Sequence, residues 1–217
     1  MIRVVIADDH TIVREGLKQL LFPASDVEIV DEARDGHEVL RIAREAEFDV
    51  LLLDLSMPGK GGMDLIKQVK GEKPKLKILV LSMHAEHQYA VRAIRAGASG
   101  YLTKDSASTQ LLSAIRKVAG GGAVISAEVA EQLALAAMPH ADGPPHASLS
   151  DREYQVFQLI VGGVSVSDIA QQLNLSVKTV STHKARLMEK MGLANQAELI
   201  HYAIRHRLID DLAAPGG

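Results

Sequence analysis

Apolar runs alternate with segments of helical period through roughly the first 120 residues. The runs at residues 3–7, 50–53 and 78–81 are each followed by a stretch whose apolar residues recur every three or four positions. Continuous apolar runs of this kind are typical of parallel strands that are covered on both faces. Five successive strand–helix pairs therefore predict an α/β domain with a five-stranded, parallel, doubly wound sheet of the flavodoxin-like type.

The pattern changes after three consecutive glycines, Gly120–Gly122. Residues 126–138 favour a helix, residues 139–148 are rich in Pro, Gly, His and Ala, and the remainder has helical period throughout. Capping residues mark the beginnings of several helices, such as Ser150 followed by Glu153. We predict an α/β domain over residues 1–121, a linker with a helical segment over 122–148, and an all-α four-helix domain over 149–217.

Composition narrows the classes of function. The chain has no cysteine, which excludes disulfides and thiol catalysis and fits a cytoplasmic protein. No apolar run approaches the length of a membrane span and no targeting segment is evident, so we expect no membrane association. The formal net charge of −3 means that any binding to nucleic acid must come from a local basic patch.

Carboxylates follow two of the predicted strands. Asp8 and Asp9 come directly after the first strand, and Asp54 ends the third. Ligand sites of open α/β sheets lie beyond the carboxyl ends of the strands, near the point where the strand order reverses. Three carboxylates in one crevice would repel each other without a cation, and oxygen ligands in this number suit Mg²⁺.

Two further strand ends add groups that can bind phosphoryl oxygens. Ser82 ends the fourth predicted strand, and Lys104 follows the fifth. A carboxylate can act as the nucleophile that forms an aspartyl phosphate, and Asp54 is the best candidate because it is a single carboxylate at a central strand end. His10, His84 and His87 lack the spacing of a metal site, and we interpret them as surface residues.

These positions together resemble the receiver domain of two-component response regulators. The resemblance covers roughly residues 1–121 and includes the motif D-x-x-M-P-G-x-x-G, which begins at Asp54. The positions that carry it are Asp8, Asp9, Asp54, Ser82, Tyr101 and Lys104.

The resemblance implies a metal site and a phosphorylation site. Asp54 would accept a phosphoryl group from a sensor histidine kinase. Asp9, Asp54 and the backbone carbonyl of Ser56 would hold Mg²⁺, with Asp8 acting through water. Phosphorylation and dephosphorylation would be partly self-catalysed, without making the protein an enzyme in the usual sense.

Three further residues would read the phosphorylated state. The resemblance implies that Lys104 pairs with the phosphorylated carboxylate and that Ser82 donates a hydrogen bond to a phosphoryl oxygen. Tyr101 would respond by changing its rotamer.

The all-α domain contains two short helices joined by a tight turn, a pattern that predicts a helix-turn-helix. On the second of these helices, Val177, Val180, Leu187 and Met191 share the face predicted to pack inward. Lysine, arginine and small hydroxyl side chains suit a helix that enters the major groove of DNA. The candidate DNA-binding residues are Ser176, Lys178, Thr179, Ser181, Thr182, Lys184 and Arg186.

Residues 149–206 resemble the LuxR-type helix-turn-helix. The matching positions are Leu149, Ser150, Glu153, Gly162, Ile169, Ala170, Leu173, Ser176, Thr179, Val180, His183, Lys190 and Gly192. With the receiver resemblance, the whole chain resembles the NarL/FixJ family. This implies a transcription regulator that binds double-stranded DNA, is a homodimer when phosphorylated, and has RNA polymerase as a candidate partner.

Three alternatives stay open at this stage. The chain could be a Mg²⁺-dependent phosphatase that works through an aspartyl phosphate, although Ser56 stands where such enzymes need a second carboxylate. The all-α domain could be a helical bundle with a solvated charged face. On the last predicted helix, Leu199, Tyr202 and Ala203 could form a dimer surface or only cover the core of the domain.

Overall fold

The computed structural model describes residues 1–57, 62–83, 87–136, 144–206 and 208, and divides the chain into two units, Met1–Ala134 and Leu135–Gly217. None of the helices in these ranges combines the length and the hydropathy that crossing a membrane requires.

A parallel five-stranded sheet forms the centre of the first unit, with the strand order β2-β1-β3-β4-β5. The strands are β1 (Ile2–Ala7), β2 (Val27–Ala33), β3 (Val50–Asp54), β4 (Lys77–Ser82) and β5 (Gly100–Thr103). Strands β1 and β3 are hydrogen-bonded neighbours, and the strand order reverses at β1. The predicted fold class is therefore confirmed for this unit.

Six helices of the first unit's described residues pack around the sheet; the first four connect successive strands and the last two follow β5. They are α1 (Thr11–Leu21), α2 (Gly36–Glu45), α3 (Gly62–Glu72), α4 (His87–Ala96), α5 (Lys104–Ala119) and α6 (Ala127–Ala136). Alternate residues of β3 show why both faces are covered. Leu51 and Leu53 pack with α2, α3 and α4, whereas Val50 and Leu52 pack with α1 and α5. Full burial of each such side chain contributes about 1.5–3 kcal/mol.

Helix α5 begins earlier than the sequence pattern predicted. The apolar period becomes visible only near Thr109, but the helix begins at Lys104 because Thr103 caps it. The hydroxyl oxygen of Thr103 accepts a hydrogen bond from the backbone N–H of Ser106 at 3.2 Å. Lys104 is thereby fixed in the first turn of a helix, at the edge of the sheet where the strands end.

The chain after α5 continues to pack on the first unit. The backbone N–H of Tyr101 donates to the carbonyl of Val124 at 2.8 Å, and the N–H of Val124 donates to Ser99 at 3.2 Å. Val124 thus forms a parallel bridge beside β5. Val129 of α6 is buried in the same hydrophobic cluster as Tyr101. Residues 122–134 are therefore structurally part of the first unit.

Residues 144–206 of the second unit contain four α-helices, as the sequence predicted. They are α7 (Asp151–Val161), α8 (Val166–Gln172), α9 (Val177–Met191) and α10 (Gln196–Arg205), preceded by a 3₁₀ turn at Pro145–Ser148. The predicted capping box of Ser150 and Glu153 begins α7. Helix α9 ends at Gly192, whose φ of 65° is the left-handed conformation that glycine adopts readily.

Candidate functional site

Four charged side chains meet at the carboxyl edge of the sheet. Asp8 and Asp9 follow β1, Asp54 ends β3, and Lys104 begins α5. The Nζ atom of Lys104 donates to Oδ2 of Asp8 at 2.7 Å and to Oδ2 of Asp54 at 2.9 Å. Asp8 and Asp54 are each only 1% exposed. The fold thus brings together residues that are separated by almost the whole first unit in sequence.

The environment of Lys104 keeps its ammonium charged. Burial alone would lower the pKa of Lys104, but the hydrogen bonds and charges of Asp8 and Asp54 outweigh burial and raise that pKa above its usual value. A permanent cation therefore lies between two buried carboxylates, and it offsets part of their mutual repulsion.

Backbone N–H groups occupy one oxygen of each of these two aspartates. Oδ1 of Asp8 accepts from the N–H of His10 at 2.8 Å, and Oδ1 of Asp54 accepts from the N–H of Ser56 at 3.0 Å. Within the described part of the chain, by contrast, Oδ1 of Asp9 is buried and accepts no hydrogen bond of good geometry, although Nδ1 of the exposed His10 ring lies 3.0 Å away. Asp9 therefore offers the least committed oxygen of the group.

The donor set fits a hard divalent cation. Asp8, Asp9, His10 and Asp54 each offer a ligand atom, and these atoms lie within 4.8 Å of one another. Three of the four donors are carboxylate oxygens, which Mg²⁺ prefers, and the Asp9 oxygen that accepts no hydrogen bond of good geometry would gain most from a cation. The residues present are thus compatible with the Mg²⁺ that the sequence resemblance implied.

His10 was interpreted from the sequence as a surface residue, yet it borders the acidic group. Its ring is exposed, but Nδ1 lies 3.0 Å from Oδ1 of Asp9 and 3.3 Å from Oδ1 of Asp8. The signal in the sequence was its position directly after the two aspartates. His84, and the Pro and Gly of the motif that begins at Asp54 (residues 58 and 59), lie outside the described residues.

Ser82 lies on β4, the strand that pairs with the strand of Asp54, and Tyr101 lies one strand further away, on β5. Ser82 is fully buried at the end of β4, and its neighbour Leu81 pairs with Asp54. Tyr101 on β5 is also buried and borders a cavity of about 320 Å³, which α5, Val124 and Val129 also line. A tyrosine beside a cavity has room for a second rotamer, which a fully packed ring would lack.

Helix α9 presents a polar face in the second unit. Ser176, Lys178, Ser181, Thr182 and Arg186 are exposed, as expected for groups that reach a partner. Two of the hydroxyl groups also serve the helix itself. The Ser176 hydroxyl accepts from the N–H of Thr179 at 3.0 Å, and that of Thr182 donates to the carbonyl of Lys178 at 2.9 Å.

The remaining two candidates on α9 are partly withdrawn. Thr179 and Lys184 are half-buried, and Thr179 lies in the first turn beside its cap. The ammonium of Lys184 donates to Oε1 of Gln196 at 2.8 Å. Lys184 is therefore directed toward the beginning of α10, and its hydrogen bond would compete with contact to DNA.

The inward face of α9 is shorter than predicted. Val180, Leu187 and Met191 are buried, but Val177 is 51% exposed, so its predicted inward position is wrong. Val177 is the first residue of α9. The apolar period shows which residues share a face, but it does not show how far along the helix other helices cover that face.

An ion pair fixes α9 against α7. Lys190 donates to Oε2 of Glu153 at 2.6 Å, and the same oxygen accepts from the N–H of Ser150 at 2.8 Å. Burial would raise the pKa of Glu153, but the contacts with Lys190 and Ser150 outweigh it and lower the pKa. The charge of Lys190, one of the basic residues of α9, is thus engaged within the domain.

We expect Glu153→Gln to destabilise the second unit by about 1–3 kcal/mol, because a charged hydrogen bond is lost. A lowered carboxyl pKa contributes stability above its ordinary value of 4.5, and that stability is lost as the pH falls through the lowered value. Thermal unfolding between pH 3 and 7 should therefore show a weaker dependence on pH in the variant. The exposed Glu189→Gln is the control, and an equal flattening there would contradict the role of the ion pair.

The possible dimer surface on α10 is largely core. Leu199 and Ala203 are fully buried, so they cannot offer an exposed surface in this conformation. The hydroxyl of Tyr202 lies 2.8 Å from Nδ1 of the buried His146, which joins α10 to the 3₁₀ turn. Ile204, by contrast, is 61% exposed on this helix.

Each unit of the chain matches a known protein family. The family described as "Response regulator receiver domain" matches residues 4–116, and the family described as "Bacterial regulatory proteins, luxR family" matches residues 147–203. The first match contains the acidic group with Lys104, and the second contains α7, α8 and α9 together with most of α10.

Similar proteins match along nearly the whole chain. Response regulator UvrY of Escherichia coli is 38% identical over 209 residues, which are 96% of each chain. Response regulator GacA of Pseudomonas viridiflava is 37% identical over 211 residues, covering 97% of this chain and 99% of that protein. Among solved structures, the Salmonella typhimurium RcsB response regulator has a TM-score of 0.72 at 31% identity. The match covers 94% of this chain and 97% of RcsB.

Proposed function

The chain belongs to the response regulators, with a receiver domain followed by a LuxR-family DNA-binding domain, and on that premise we propose that phosphorylation of Asp54 controls its dimerisation and DNA binding. The phosphoryl donor is a sensor histidine kinase, and the outcome is regulated transcription. The family consists generally of transcription regulators and not of enzymes. The receiver function lies within residues 1–121, residues 122–148 join the two functions, and residues 149–217 bind DNA.

The observation that carries this proposal is the buried carboxylate of Asp54 held 2.9 Å from the ammonium of Lys104. A bond forms between an oxygen of Asp54 and phosphorus, while the bond from phosphorus to the imidazole nitrogen of the kinase breaks. Lys104 lies beside the carboxylate that accepts the phosphoryl group, so its positive charge offsets the negative charge that the phosphoryl oxygens bring, and it remains there to pair with the phosphorylated side chain. The same geometry supports a self-catalysed reaction with small phosphoryl donors.

Mg²⁺ would be held by Asp9, Asp54 and the backbone carbonyl of Ser56, with Asp8 contributing through water. When bound, it supplies positive charge that reduces repulsion between the carboxylates and the incoming phosphoryl oxygens. Ser56 itself argues against the phosphatase alternative, because its hydroxyl cannot replace the carboxyl general acid that such enzymes commonly need.

Phosphorylation acts on the fold through Ser82 and Tyr101. The Ser82 hydroxyl donates to a phosphoryl oxygen and draws the end of β4 toward Asp54. Tyr101 then changes its rotamer, for which the cavity that it borders leaves room. Such a local charge change biases a two-state element, as in other phosphoryl switches.

The second unit recognises double-stranded DNA through α9. Lys178 and Arg186 meet phosphates or guanine, and the hydroxyl groups of Ser181 and Thr182 contact base edges or phosphates. Ser176 and Thr179 contribute mainly by holding the beginning of α9, whose N-terminus favours a phosphate. Lys184 reaches DNA only if it leaves Gln196.

The phosphorylated form is a homodimer that acts in the cytoplasm, with RNA polymerase as a further candidate partner. Two joined copies of a helix-turn-helix gain affinity through effective concentration. Two RcsB structures support the proposal that the phosphorylated form binds DNA as a dimer. One has RcsB bound to promoter rprA in the presence of phosphomimetic BeF₃⁻, at 31% identity and a TM-score of 0.67, and another has two RcsB dimers bound to two parallel DNAs.

Beryllofluoride with Mg²⁺ should raise both the dimer fraction and the DNA affinity of the wild type. Asp9→Ala should show neither increase, because a hard oxygen ligand is removed and the phosphoryl mimic needs the cation. Sedimentation velocity and fluorescence anisotropy on DNA fragments enriched with the wild type measure the two effects. A wild type that binds the mimic without either increase would overturn the proposed switch.

A further inference from the structure

A buried arginine lies behind the acidic group, and the proposed reaction does not use it. Arg14 on α1 is only 4% exposed. Its Nη1 donates to the backbone carbonyl of Asp8 at 2.8 Å, its Nε donates to Oε2 of Glu32 at 3.1 Å, and its Nη2 donates to the hydroxyl of Thr11 at 3.3 Å. One guanidinium therefore joins the end of β1, the beginning of α1 and strand β2.

These contacts hold the backbone on both sides of Asp8. The N–H of Asp8 donates to the carbonyl of Ala33 at 3.1 Å, which extends the pairing of β1 with β2. The carbonyl of Asp8 accepts from Arg14, and its side chain accepts from the N–H of His10. The peptide that leads into Asp9 is thus fixed at its carbonyl by a buried charged donor.

We propose that Arg14 is a positioning residue for the metal-binding carboxylates. It holds the Asp8 carbonyl and thereby directs the carboxylate of Asp9 toward Asp54. This inference rests on the proposed function, because it assigns Arg14 a task in binding the Mg²⁺ ion. Arg14 touches neither the ion nor the phosphoryl group, and it acts only through the backbone between Asp8 and Asp9.

The chemistry of arginine suits this task better than that of lysine. A planar guanidinium has several N–H donors in a fixed arrangement, so it can reach three acceptors on three elements at once. A lysine at the same position could keep the charge and one hydrogen bond, but it would leave the other acceptors unpaired. Partial rescue by lysine is therefore the expected signature.

Glu32 explains how the buried guanidinium of Arg14 is tolerated. A substitution of Glu32 is also a suitable control for substitutions of Arg14. Glu32 accepts from Arg14 and also lies 2.5 Å from the ammonium of Lys18. Burial would raise the pKa of Glu32, but the contacts with Lys18 and Arg14 outweigh it and lower the pKa. Replacing Glu32 weakens the same ion-pair network but leaves the bond from Arg14 to Asp8 in place.

The test compares Mg²⁺ affinity with stability in the full-length protein. Isothermal titration with MgCl₂ measures the affinity of the wild type, Arg14→Met, Arg14→Lys, Glu32→Gln and Asp9→Ala. Thermal unfolding without Mg²⁺ measures their stability. Arg14→Met should bind Mg²⁺ about 10- to 100-fold more weakly, as for other groups that support metal ligands. Arg14→Lys should lie between Arg14→Met and the wild type.

Glu32→Gln should lose thermal stability yet bind Mg²⁺ like the wild type. If Glu32→Gln loses as much Mg²⁺ affinity as the Arg14 variants, or if Arg14→Lys binds as the wild type does, Arg14 has only a structural role. Should Arg14→Met fail to fold, the comparison of Arg14→Lys with Glu32→Gln decides. Equal Mg²⁺ affinity of the wild type and Asp9→Ala would instead refute the proposed metal site itself, and this inference with it.

Discussion

Replacing Asp54 with asparagine is expected to reduce phosphoryl incorporation from a maximum of one acid-labile group per chain to the background of the assay. The amide is a poor nucleophile compared with a carboxylate, and it also removes one of the charges that binds the cation. Intact-mass measurement after incubation with acetyl phosphate or a phosphorylated kinase domain reports the result directly. Asp8 is also buried beside Lys104, but we assign it to the cation and not to the phosphoryl group, so the loss in Asp54→Asn should be complete.

Asp105→Asn is the matched control for this change. Asp105 follows Lys104 directly, but its side chain is exposed and lies in the first turn of α5. The variant makes the same chemical substitution near the site, and it should incorporate phosphate as the wild type does. Retention of most of the phosphate by Asp54→Asn would show that another residue is the acceptor.

The second large effect is expected on DNA binding. Replacing Lys178 and Arg186 together with alanine should weaken binding by at least about 1–3 kcal/mol, the usual value of a lost arginine contact with a base. The dependence of log affinity on log salt concentration should become shallower by about 2 if both side chains contact phosphates, since each such contact releases about one counterion. Titrations at several salt concentrations separate the two contributions.

Lys75 and Lys117 provide the control for lost positive charge. Both are exposed in the first unit, so their double alanine variant changes the net charge equally without touching α9. Its affinity for DNA and its salt dependence should remain those of the wild type. Equal losses in the two double variants would mean that the net charge of the protein, and not α9, governs binding.

The sheet could be predicted from the sequence because its signals are local. Strands that are covered on both faces are apolar at successive positions, and the residues after them are polar. Asp54 and Ser82 could be assigned to one edge because parallel strands all end on the same side. The beginning of α5 could not be found in this way, since its first turn is rich in hydroxyl groups and is held by the cap at Thr103.

The residues that support the site were harder to predict than those within it. Arg14 shares a helical face with Leu17 and Leu21, three and seven residues later, and all three are buried. That spacing was a signal, but the pattern does not reveal which acceptors meet the guanidinium. The contacts of Lys190 with Glu153 and of Lys184 with Gln196 likewise join different helices, so only the folded arrangement identifies them.

The bridge between Val124 and β5 bears on how the receiver can be studied by itself. A fragment that ends at residue 121 would remove the strand partner of Tyr101 and expose the edge of β5 together with the apolar surface beneath Val129. Bare sheet edges template pairing with other chains. Self-association of such a fragment could then be an artefact of the cut and not a response to phosphorylation. A fragment that extends to Ala134 keeps this edge covered and is the sounder starting point for measuring receiver dimers.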